Sequence, residues 1–344
     1  MNTEIFKISP KNIDASAISR CANIIKGGGL VAFPTETVYG LGADATDKEA
    51  AKKIYAAKGR PSDNPLIIHI SNPEEAEDYA HTSQLYYKLA EAFMPGPLTV
   101  ILPKKDSVPA EVTGGLDTVA VRCPSHPIAR ALISAAGVPI AAPSANISGS
   151  PSPTCALHVI KDMTDKIDAI IDGGECEIGL ESTIVKLEGN KAVLLRPGAI
   201  TADALGCVCE QVEISSAVTE ALKENERPLS PGMKYRHYAP KAPLVLLDGE
   251  SKDVLDFLIN AQKEQSCVIL CYDEECEHLK EENIIPIGRS DDLAAQAQRL
   301  FGALRKADTM NGEIIYAHLP RPEGLGLALY NRMIRAAAHT VKKI

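Results

Sequence analysis

A chain of 344 residues is long enough for about two domains at roughly 150 residues each, and its 45% hydrophobic and 24% charged residues are ordinary for a globular protein. The net charge of −9 argues against a surface built throughout to hold nucleic acid. Aromatic residues make up 4% of the chain and tryptophan is absent, which excludes rows of exposed rings that stack on single-stranded bases.

The cysteines and the apolar segments bear on cellular location. The nine cysteines are odd in number and show no zinc-type spacing, so reduced thiols in the cytoplasm are the favoured interpretation. No segment approaches the roughly 18–20 apolar residues of a membrane span, and no signal sequence is recognisable at the N-terminus. We therefore expect a cytoplasmic protein with no membrane partner.

The first two thirds of the chain predict a mixture of helices and strands. A helix is expected from Asp14 to Ile25, ended by the glycines at 27–29, and a strand follows from Leu30 to Phe33. A hairpin is expected around Gly189-Asn190. Further strands are predicted at Leu66–Ile70, Leu98–Leu102, Thr118–Arg122, Pro139–Ala142, Ala169–Asp172, Thr183–Leu187 and Val193–Leu195, and further helices at Ala50–Ala57, Pro127–Ala136 and Thr154–Met163, the last capped by Thr154.

The pattern changes in the last third of the chain. Residues Pro228–Pro243 contain too much proline and glycine for the interior of a helix or strand, so we predict a linker. Strands alternate with helices beyond it, which predicts a small open parallel sheet with helices on both faces. We place a first domain at 1–215, a linker at 216–243 and a second domain at 244–344. The elements predicted there are strands at Leu244–Leu247, Cys267–Tyr272, Ile284–Ile287 and Glu313–Leu319 and helices at Lys252–Lys263, Asp291–Arg305 and Gly324–His339.

Two familiar phosphate-binding devices are missing from the sequence. No GxxxxGK[ST] loop is present, and the glycines at 27–29 precede a strand instead of following one and opening a helix. A nucleotide bound by this chain would therefore be held by side chains and irregular backbone.

The segment at 34–42 is the first with candidate ligand-binding residues. It places the hydroxyls of Thr35 and Thr37 at the end of a predicted strand, where open α/β sheets usually bind ligands. An ordinary exit from a strand into a turn would explain the same pattern, and this alternative stays open.

The segment at 58–65 carries Lys58, Arg60, Ser62 and Asn64, and its two prolines stiffen the loop. One cation would be explained by its position at the negative end of a helix dipole, and Gly59 would be explained by the end of that helix. These explanations do not show why a stiff loop should carry two cations and an amide. Such a loop suits a triphosphate, because its ordering cost is met before the ligand arrives.

A third segment at 141–154 is rich in small and hydroxyl residues. Its small residues would let a ligand approach the backbone, and Ser144, Asn146 and Ser152 offer neutral hydrogen bonds. A flexible Ser/Pro linker is the alternative. His69, inside a predicted strand, and Arg122, at the end of another, could each be structural, although an arginine fork can also grip a carboxylate with two parallel hydrogen bonds.

Taken in order, these segments resemble the long, two-domain threonylcarbamoyl-AMP synthases, whose catalytic part is a YrdC-like domain. The resemblance covers essentially the whole chain. Its most specific parts are PTETVYGLG at 34–42, KGRPSDNPL at 58–66 and APSANISGSPSPT at 142–154. The family's K-x-R and S-x-N signatures stand intact as Lys58/Arg60 and Ser144/Asn146.

The resemblance implies an α/β fold: a YrdC-like twisted, mixed α/β sheet around a large positively charged cavity, plus a smaller Rossmann-like open-sheet domain at the C-terminus. It implies catalytic roles for Lys58, Arg60, Ser144 and Asn146. Threonine would be bound by Thr35, Thr37, His69, Arg122, Ala142 and Ser182, and ATP by Lys58, Arg60, Asn64, Thr118, Ser144, Ser152, Arg196 and Ser230. Tyr235 would close as a lid.

The implied reaction joins L-threonine, bicarbonate and ATP into L-threonylcarbamoyl-AMP, with diphosphate and water released. The product serves the N6-threonylcarbamoyladenosine modification of ANN-decoding tRNAs, so a downstream threonylcarbamoyl transferase complex is an expected partner, and direct contact with tRNA is left open. Mg²⁺ would be bound with ATP and not in a dedicated set of protein ligands.

Three alternatives stay open. An RNA-binding module of the same fold would use a cationic cavity without catalysis. Another carbamoyl-transfer enzyme would be expected to carry extra domains, and a metal-dependent sugar-phosphate lyase would need an acidic cluster that these loops do not offer.

Overall fold

The computed structural model describes residues 2–220 and 237–344. The described chain separates into two compact units. The first unit contains residues 2–148, 152–177 and 181–220, and the second contains 149–151, 178–180 and 237–344. The predicted linker lies in part outside the described residues, and the predicted domain boundaries stay predictions. Within the described ranges, no helix combines the length and apolar character needed to cross a membrane.

The first unit is built on a mixed sheet, as predicted. Among the described residues its strand order is β1-β8-β2-β3-β7-β4-β6-β5-β9-β10-β11. The strands are β1 Glu4–Lys7, β2 Val31–Phe33, β3 Gly40–Asp44, β4 Ile67–His69, β5 Leu98–Pro103, β6 Thr118–Arg122, β7 Ile140–Ala141, β8 Ala169–Asp172, β9 Thr183–Glu188, β10 Lys191–Arg196 and β11 Gln211–Ile214. The helices are α1 Ala15–Lys26, α2 Lys48–Lys58, α3 Ala76–Tyr79, α4 Gln84–Phe93, α5 Ala110–Thr113, α6 Pro127–Ala136, α7 Ala156–Met163 and α8 Ala202–Gly206, with 3₁₀ turns at Pro73–Glu75 and Ser216–Val218.

Helix α1 shows how the sequence fixes these elements. The Asp14 carboxylate accepts hydrogen bonds from the backbone N–H groups of Ser16 and Ala17, at 2.9 and 3.0 Å, and so caps the helix. Ile18, Cys21, Ala22 and Ile25 recur with helical spacing and are buried. They join residues of α6, β2 and β8 in one hydrophobic core on that face of the sheet.

Strand β3 was not predicted from the sequence. Gly40 and Gly42 indicated a turn after β2, yet Gly40–Asp44 pairs antiparallel with β2 and with β7. The glycines serve close packing here, because a Cβ on Gly42 would lie 2.7 Å from Ile140 Cγ2 and 2.8 Å from Phe33 Cε1. The segment therefore returns along the sheet directly beside the strand it left.

The predicted cap on helix α7 was wrong. The helix begins at Ala156 after Cys155, and its N-terminus receives no hydrogen bond from a capping side chain. The backbone N–H of Thr154 instead donates to His158 Nδ1 at 3.2 Å, so the helix reaches back to the preceding loop through His158.

The second unit is a parallel open sheet, as predicted, with strand order β14-β13-β15-β12-β16 among the described residues. Val254, Leu258 and Ala261 on one face of its first helix pack against Ile269 and Cys271 in the core. The strands are β12 Leu244–Asp248, β13 Cys267–Cys271, β14 Ile284–Pro286, β15 Ile314–His318 and β16 Val341–Lys343; the helices are α9 Ser251–Glu264, α10 Leu293–Ala307 and α11 Gly326–Ala336, with 3₁₀ turns at Asp273–His278 and Glu281–Asn283.

The close packing at Gly42 predicts a selective loss of stability. We expect Gly42→Ala to lower the free energy of unfolding by about 1–3 kcal/mol, because the added methyl group overlaps Ile140 and Phe33. Gly206→Ala is the matched control: it lies at the end of α8, where a Cβ meets nothing within 4 Å, and it should be neutral or slightly stabilising. Urea denaturation followed by circular dichroism compares the two, and equal losses would contradict the packing argument.

Candidate functional site

The first unit brings the motif segments at 34–42 and 58–66 side by side with residues 142–148 of the third motif segment. Backbone hydrogen bonds from Leu41 to Pro143 and from Ala145 to Tyr39, each 2.8 Å, join the first segment to the third. The Ser148 N–H donates to the Lys58 carbonyl at 2.9 Å and joins the third segment to the second. Segments that are far apart in sequence therefore form one continuous structure.

The Lys58 side chain is buried where the second and third segments meet. Its Nζ donates to the carbonyl oxygens of Ser144 and Asn146, each at 2.5 Å, and lies 3.4 Å from Asn146 Oδ1. The Ser144 hydroxyl donates to Asn146 Oδ1 at 2.6 Å. The K-x-R and S-x-N signatures thus meet through a buried cation surrounded by oxygen atoms.

Arg60 organises the stiff loop that follows α2. The helix ends at Gly59, whose left-handed φ of 61° turns the chain, as the sequence predicted. Arg60 Nε donates to the Asn64 carbonyl at 3.3 Å and its Nη2 to the Pro65 carbonyl at 3.1 Å. The Asn64 Oδ1 atom is buried with no hydrogen-bond partner among the described residues, so the loop holds an unfilled acceptor.

Arg122 forms a buried ion pair with Glu36. Its Nη2 lies 2.6 Å from Glu36 Oε1, and both side chains are 5% exposed. The other carboxylate oxygen accepts the Ser125 N–H at 3.2 Å. Within the described residues, Arg122 Nε is buried without an acceptor. A guanidinium donor left in this state fits a carboxylate that a ligand would bring.

Thr35 and Thr37 lie next to this ion pair. Their hydroxyl oxygens are 2.9 Å apart, and Thr35 Oγ1 donates to the Val38 carbonyl at 2.7 Å. Arg122 Nη2 approaches Thr35 Oγ1 at 3.5 Å. The hydroxyls therefore border the arginine, as the strand-end interpretation of this segment requires.

His69 is the neighbour of Arg122 in the paired strands β4 and β6. Burial lowers the pKa of its imidazole to about 3, and the Arg122 guanidinium acts in the same direction. Its Nδ1 lies 3.2 Å from the Ile67 carbonyl. The imidazole is therefore neutral at physiological pH, and it offers hydrogen bonds without adding charge.

A second chain of contacts runs from Arg122 to Arg196. Thr99 lies opposite Arg122 in the β5–β6 pair, and its hydroxyl oxygen is 2.7 Å from that of Ser182. Arg196 donates from Nε to the Ser182 carbonyl at 3.0 Å and from Nη2 to the Ser182 hydroxyl at 3.1 Å. This chain links a residue predicted to bind threonine with one predicted to bind ATP.

The remaining predicted site residues are placed as follows. Ser152 is buried and donates to Glu181 Oε1 at 2.6 Å. The N–H of buried Ala142 donates to the Ile67 carbonyl at 2.9 Å, beside β4. Thr118 is half-buried at the start of β6, opposite Pro103, and no described hydrogen bond joins its side chain to the other predicted residues. Ser230 and Tyr235 lie outside the described residues.

Three further residues hold this site together: sequence reasoning missed Glu36 and Thr99, and it gave no role to Glu181, which lies in a polar cluster at a predicted strand end. Each is buried and bonds to a predicted site residue. Glu36 could have been found, because a carboxylate between two threonines in an otherwise apolar segment needs a buried partner. Thr99 carries no comparable signal, because it reaches Ser182 only through strand pairing.

The charges of the site favour an anionic ligand. Lys58, Arg60, Arg122 and Arg196 are all buried, and the two buried carboxylates Glu36 and Glu181 leave them with an excess of positive charge. The arrangement can bind phosphate and carboxylate groups and stabilise negative charge that develops during a reaction. Side chains and irregular backbone supply these groups, as expected from the missing glycine-rich loops.

Two family models match adjoining parts of the chain. Residues 23–198 match the family Sua5_yciO_yrdC, described as telomere recombination. Residues 200–338 match a family described as threonylcarbamoyl-AMP synthase, C-terminal domain.

Curated relatives match over nearly the full length. A threonylcarbamoyl-AMP synthase of Bacillus subtilis is 43% identical over 94% of each chain, and one of Pyrococcus abyssi is 45% identical over 97% of this chain and 98% of its own. A crystal structure of P. abyssi Sua5 complexed with L-threonine superposes with a TM-score of 0.90 at 42% identity, covering 99% of this chain and 100% of that one. The structure of E. coli YciO, at 27% identity and a TM-score of 0.52, covers 57% of this chain and 96% of its own.

Because His69 is neutral in the folded protein, we expect the free energy of unfolding to fall at acid pH. The unfolded chain protonates this residue below its ordinary pKa of 6.5, whereas the folded chain does not until about pH 3. Its contribution to the free energy of unfolding is therefore complete above pH 6.5 and falls by about 1.4 kcal/mol per unit as the pH drops toward 3. We expect His69→Gln to reduce the stability lost between pH 7.5 and pH 5 by about 2 kcal/mol, measured by urea denaturation at both pH values. An unchanged difference would contradict the assignment.

Proposed function

This chain belongs to the threonylcarbamoyl-AMP synthase family, and on that premise we propose that it makes L-threonylcarbamoyl-AMP from L-threonine, bicarbonate and ATP. Diphosphate and water are the other products, so the enzyme is a nucleotidyltransferase. The observation that carries the proposal is the junction of the three motif segments around buried Lys58, in a chain of which 94–97% matches such synthases.

The proposed reaction proceeds in two steps. The neutral amine of threonine combines with bicarbonate, and a carbamate and water are formed. A carbamate oxygen then attacks the α-phosphorus of ATP: a new O–P bond forms, the bond from the α-phosphorus to the bridging oxygen breaks, and diphosphate leaves. The protein supplies no nucleophile, so positioning and electrostatic stabilisation carry the rate.

Threonine is assigned to the Arg122 end of the site. The buried Nε of Arg122 has no acceptor among the described residues, and the carboxylate of an amino acid would provide one. Glu36 holds the guanidinium in place by its other side, so little ordering is needed when threonine binds. Thr35, Thr37 and neutral His69 offer hydrogen bonds nearby. The P. abyssi structure named above, which contains L-threonine, supports this substrate.

ATP is assigned to the side of the site formed by Lys58, Arg60, Asn64, Ser144 and Arg196. These residues include three buried cations, which would stabilise the charge that grows on the transferring phosphoryl group. We also assign ATP binding to Thr118, Ser152 and Ser230. The catalytic residues of the proposal are Lys58, Arg60, Ser144 and Asn146, and Tyr235 is its lid. The lid would exclude water, to which the carbamate and its adenylate are readily lost.

The described residues fit a Mg²⁺ ion that is bound with ATP. Both buried carboxylates already have partners, Glu36 in Arg122 and Glu181 in Ser152, whereas Asn64 Oδ1 is a buried acceptor that could receive a hydrogen bond from an ion-bound water. When bound, the ion supplies neutralisation of charge on the phosphate oxygens.

The cellular setting completes the proposal. All nine cysteines are free thiols, which suits a reducing compartment such as the cytoplasm. The adenylate is too unstable to be an end product, so a transferase that acts on tRNA must consume it.

Diphosphate release tests the proposed reaction. With ATP, Mg²⁺, threonine and bicarbonate in a buffer freed of carbon dioxide, we expect release only when threonine and bicarbonate are both present, because the attacking group is their carbamate. An enzyme-coupled diphosphate assay measures it. Release without either compound would contradict the substrate assignment, and salt-dependent RNA binding without ATP turnover would favour the RNA-binding alternative.

Loss of Arg122 should affect threonine more than ATP. We expect Arg122→Gln combined with Glu36→Gln to weaken threonine binding by roughly 10–100-fold with a much smaller effect on ATP. The double variant avoids leaving a buried carboxylate unpaired, which would itself destabilise the fold. Calorimetric titration with each substrate measures the effect. Arg130→Gln, an exposed arginine on α6, is the control, and equal losses for both substrates would count against the assignment.

A further inference from the structure

Two short segments that precede the linker in sequence belong to the second unit, residues 149–151 and 178–180. Each leads directly into a residue of the candidate site. Residues 149–151 are followed by Ser152, which is assigned to ATP, and residues 178–180 are followed by Glu181, whose Oε1 accepts the Ser152 hydroxyl at 2.6 Å. The contacts that hold these two segments therefore bear on the position of Ser152.

Arg305, in the last turn of α10, holds the first of these segments. Its Nε and Nη2 both donate to the Pro151 carbonyl oxygen, at 3.0 and 2.6 Å, and Arg305 is 8% exposed. A cation in the last turn of a helix is usually explained by the negative end of the helix dipole. Here the guanidinium directs two donors to one carbonyl of a segment far away in sequence, so it also fixes that segment.

The geometry of the peptide bond carries this constraint to Ser152. The Pro151 carbonyl and the Ser152 nitrogen belong to one planar peptide unit, so a fixed oxygen also fixes the plane from which Ser152 begins. Pro151 and Pro153 flank Ser152, and a proline restricts both its own φ and the conformation of the residue before it. Ser152 therefore has little freedom to move independently of the carbonyl that Arg305 holds.

Gly179 brings the second segment against the same helix. Its φ of 80° lies in the region that favours glycine, and a Cβ there would overlap Gln298 Cα and lie 2.6 Å from the Gln298 carbonyl oxygen. A larger residue would therefore push the segment away from α10. The segment continues into Glu181 and Ser182, and Ser182 accepts two hydrogen bonds from Arg196, which is also assigned to ATP.

Helix α10 can anchor these segments because it is itself firmly held. Its residues Leu300, Phe301 and Leu304 are fully buried, and the Asp292 carboxylate caps its first turn by accepting the Ala295 N–H at 2.9 Å. Closely packed apolar side chains resist displacement. The helix is therefore the fixed element, and the two segments take their positions from it.

We propose that Arg305 is a positioning residue for ATP binding. Together with the close approach at Gly179, it lets α10 hold Ser152 and its partner Glu181 in the position that ATP requires. Arg305 itself touches neither ATP nor a reacting atom. The inference rests on the proposed function, because it takes Ser152 and Arg196 as ligands of ATP. It gives α10 a part in the affinity for ATP although this helix supplies no ligand.

Substitution of Arg305 in the full-length protein tests the proposal. Arg305→Met keeps a long side chain but removes every donor, and we expect it to weaken ATP binding by roughly tenfold while threonine binding changes by less than about twofold. Arg305→Lys keeps a cation that can donate to a carbonyl oxygen, so it should recover part of the affinity. Calorimetric titration with each substrate in the presence of Mg²⁺ measures the affinities without turnover, and the diphosphate assay should show the loss mainly in the KM for ATP.

Arg299→Met is the matched control, because Arg299 lies on the same helix but its side chain is 49% exposed and faces Asp273 at 3.6 Å. Gly179→Ala is a second probe that should also weaken ATP binding, and it carries the test if Arg305→Met does not fold. Its control is Gly189→Ala, since Gly189 also has a positive φ but a Cβ there meets nothing within 4 Å. Melting curves check that all variants are folded.

Several results would overturn the inference and leave the proposed function in place. They are equal losses of ATP and threonine affinity in Arg305→Met, an equal loss of ATP affinity in Arg299→Met, and an unchanged ATP affinity in a folded Arg305→Met or Gly179→Ala protein. A wild-type protein that binds no ATP would instead overturn the proposed function, and the inference would fail with it.

Discussion

The site of the first unit depends on one buried cation. Lys58 would be costly in the interior without partners, and the carbonyl oxygens of Ser144 and Asn146 supply them. The Ser148 N–H returns a hydrogen bond to the Lys58 carbonyl, so side chain and backbone of one residue both hold the same loop. The end of α2 and this loop are thereby fixed to each other. The K-x-R signature at the helix end is held beside the S-x-N signature in the loop.

Arg122 is also a buried cation that its protein partners hold in place. Glu36 satisfies one part of its guanidinium, the paired strands set its position beside His69, and its Nε is left for a ligand. The protein has thus arranged its charges before any substrate arrives, which lowers the cost of ordering them during binding. Lys58 differs in kind, because its side chain holds the loop through the carbonyl oxygens of Ser144 and Asn146.

Local chemistry predicted much of the fold. Gly59 predicted the end of α2 through its tolerance of positive φ, and Gly189-Asn190 predicted the β9–β10 hairpin through turn geometry. The motif residues could be predicted as candidates because hydroxyls at a strand end and cations on a proline-stiffened loop suit a bound ligand. Strand β3 was not predicted, because a glycine such as Gly42 locally indicates a turn. In the structure Gly42 lies within the strand, because the Phe33 ring packed against it leaves no room for a side chain. Contacts across strands, such as that between Thr99 and Ser182, can be predicted only when the order of strands in the sheet is known. A short segment of sequence does not contain that order.

The unprotonated imidazole of His69 has a consequence for the fate of the intermediate. A carbamate decomposes to carbon dioxide and free amine once its nitrogen gains a proton, so an imidazolium next to it would act as an acid and waste the bicarbonate already captured. With burial and Arg122 lowering its pKa to about 3, this histidine has no such proton to give. In the proposed reaction, His69 therefore does not act as an acid toward the carbamate.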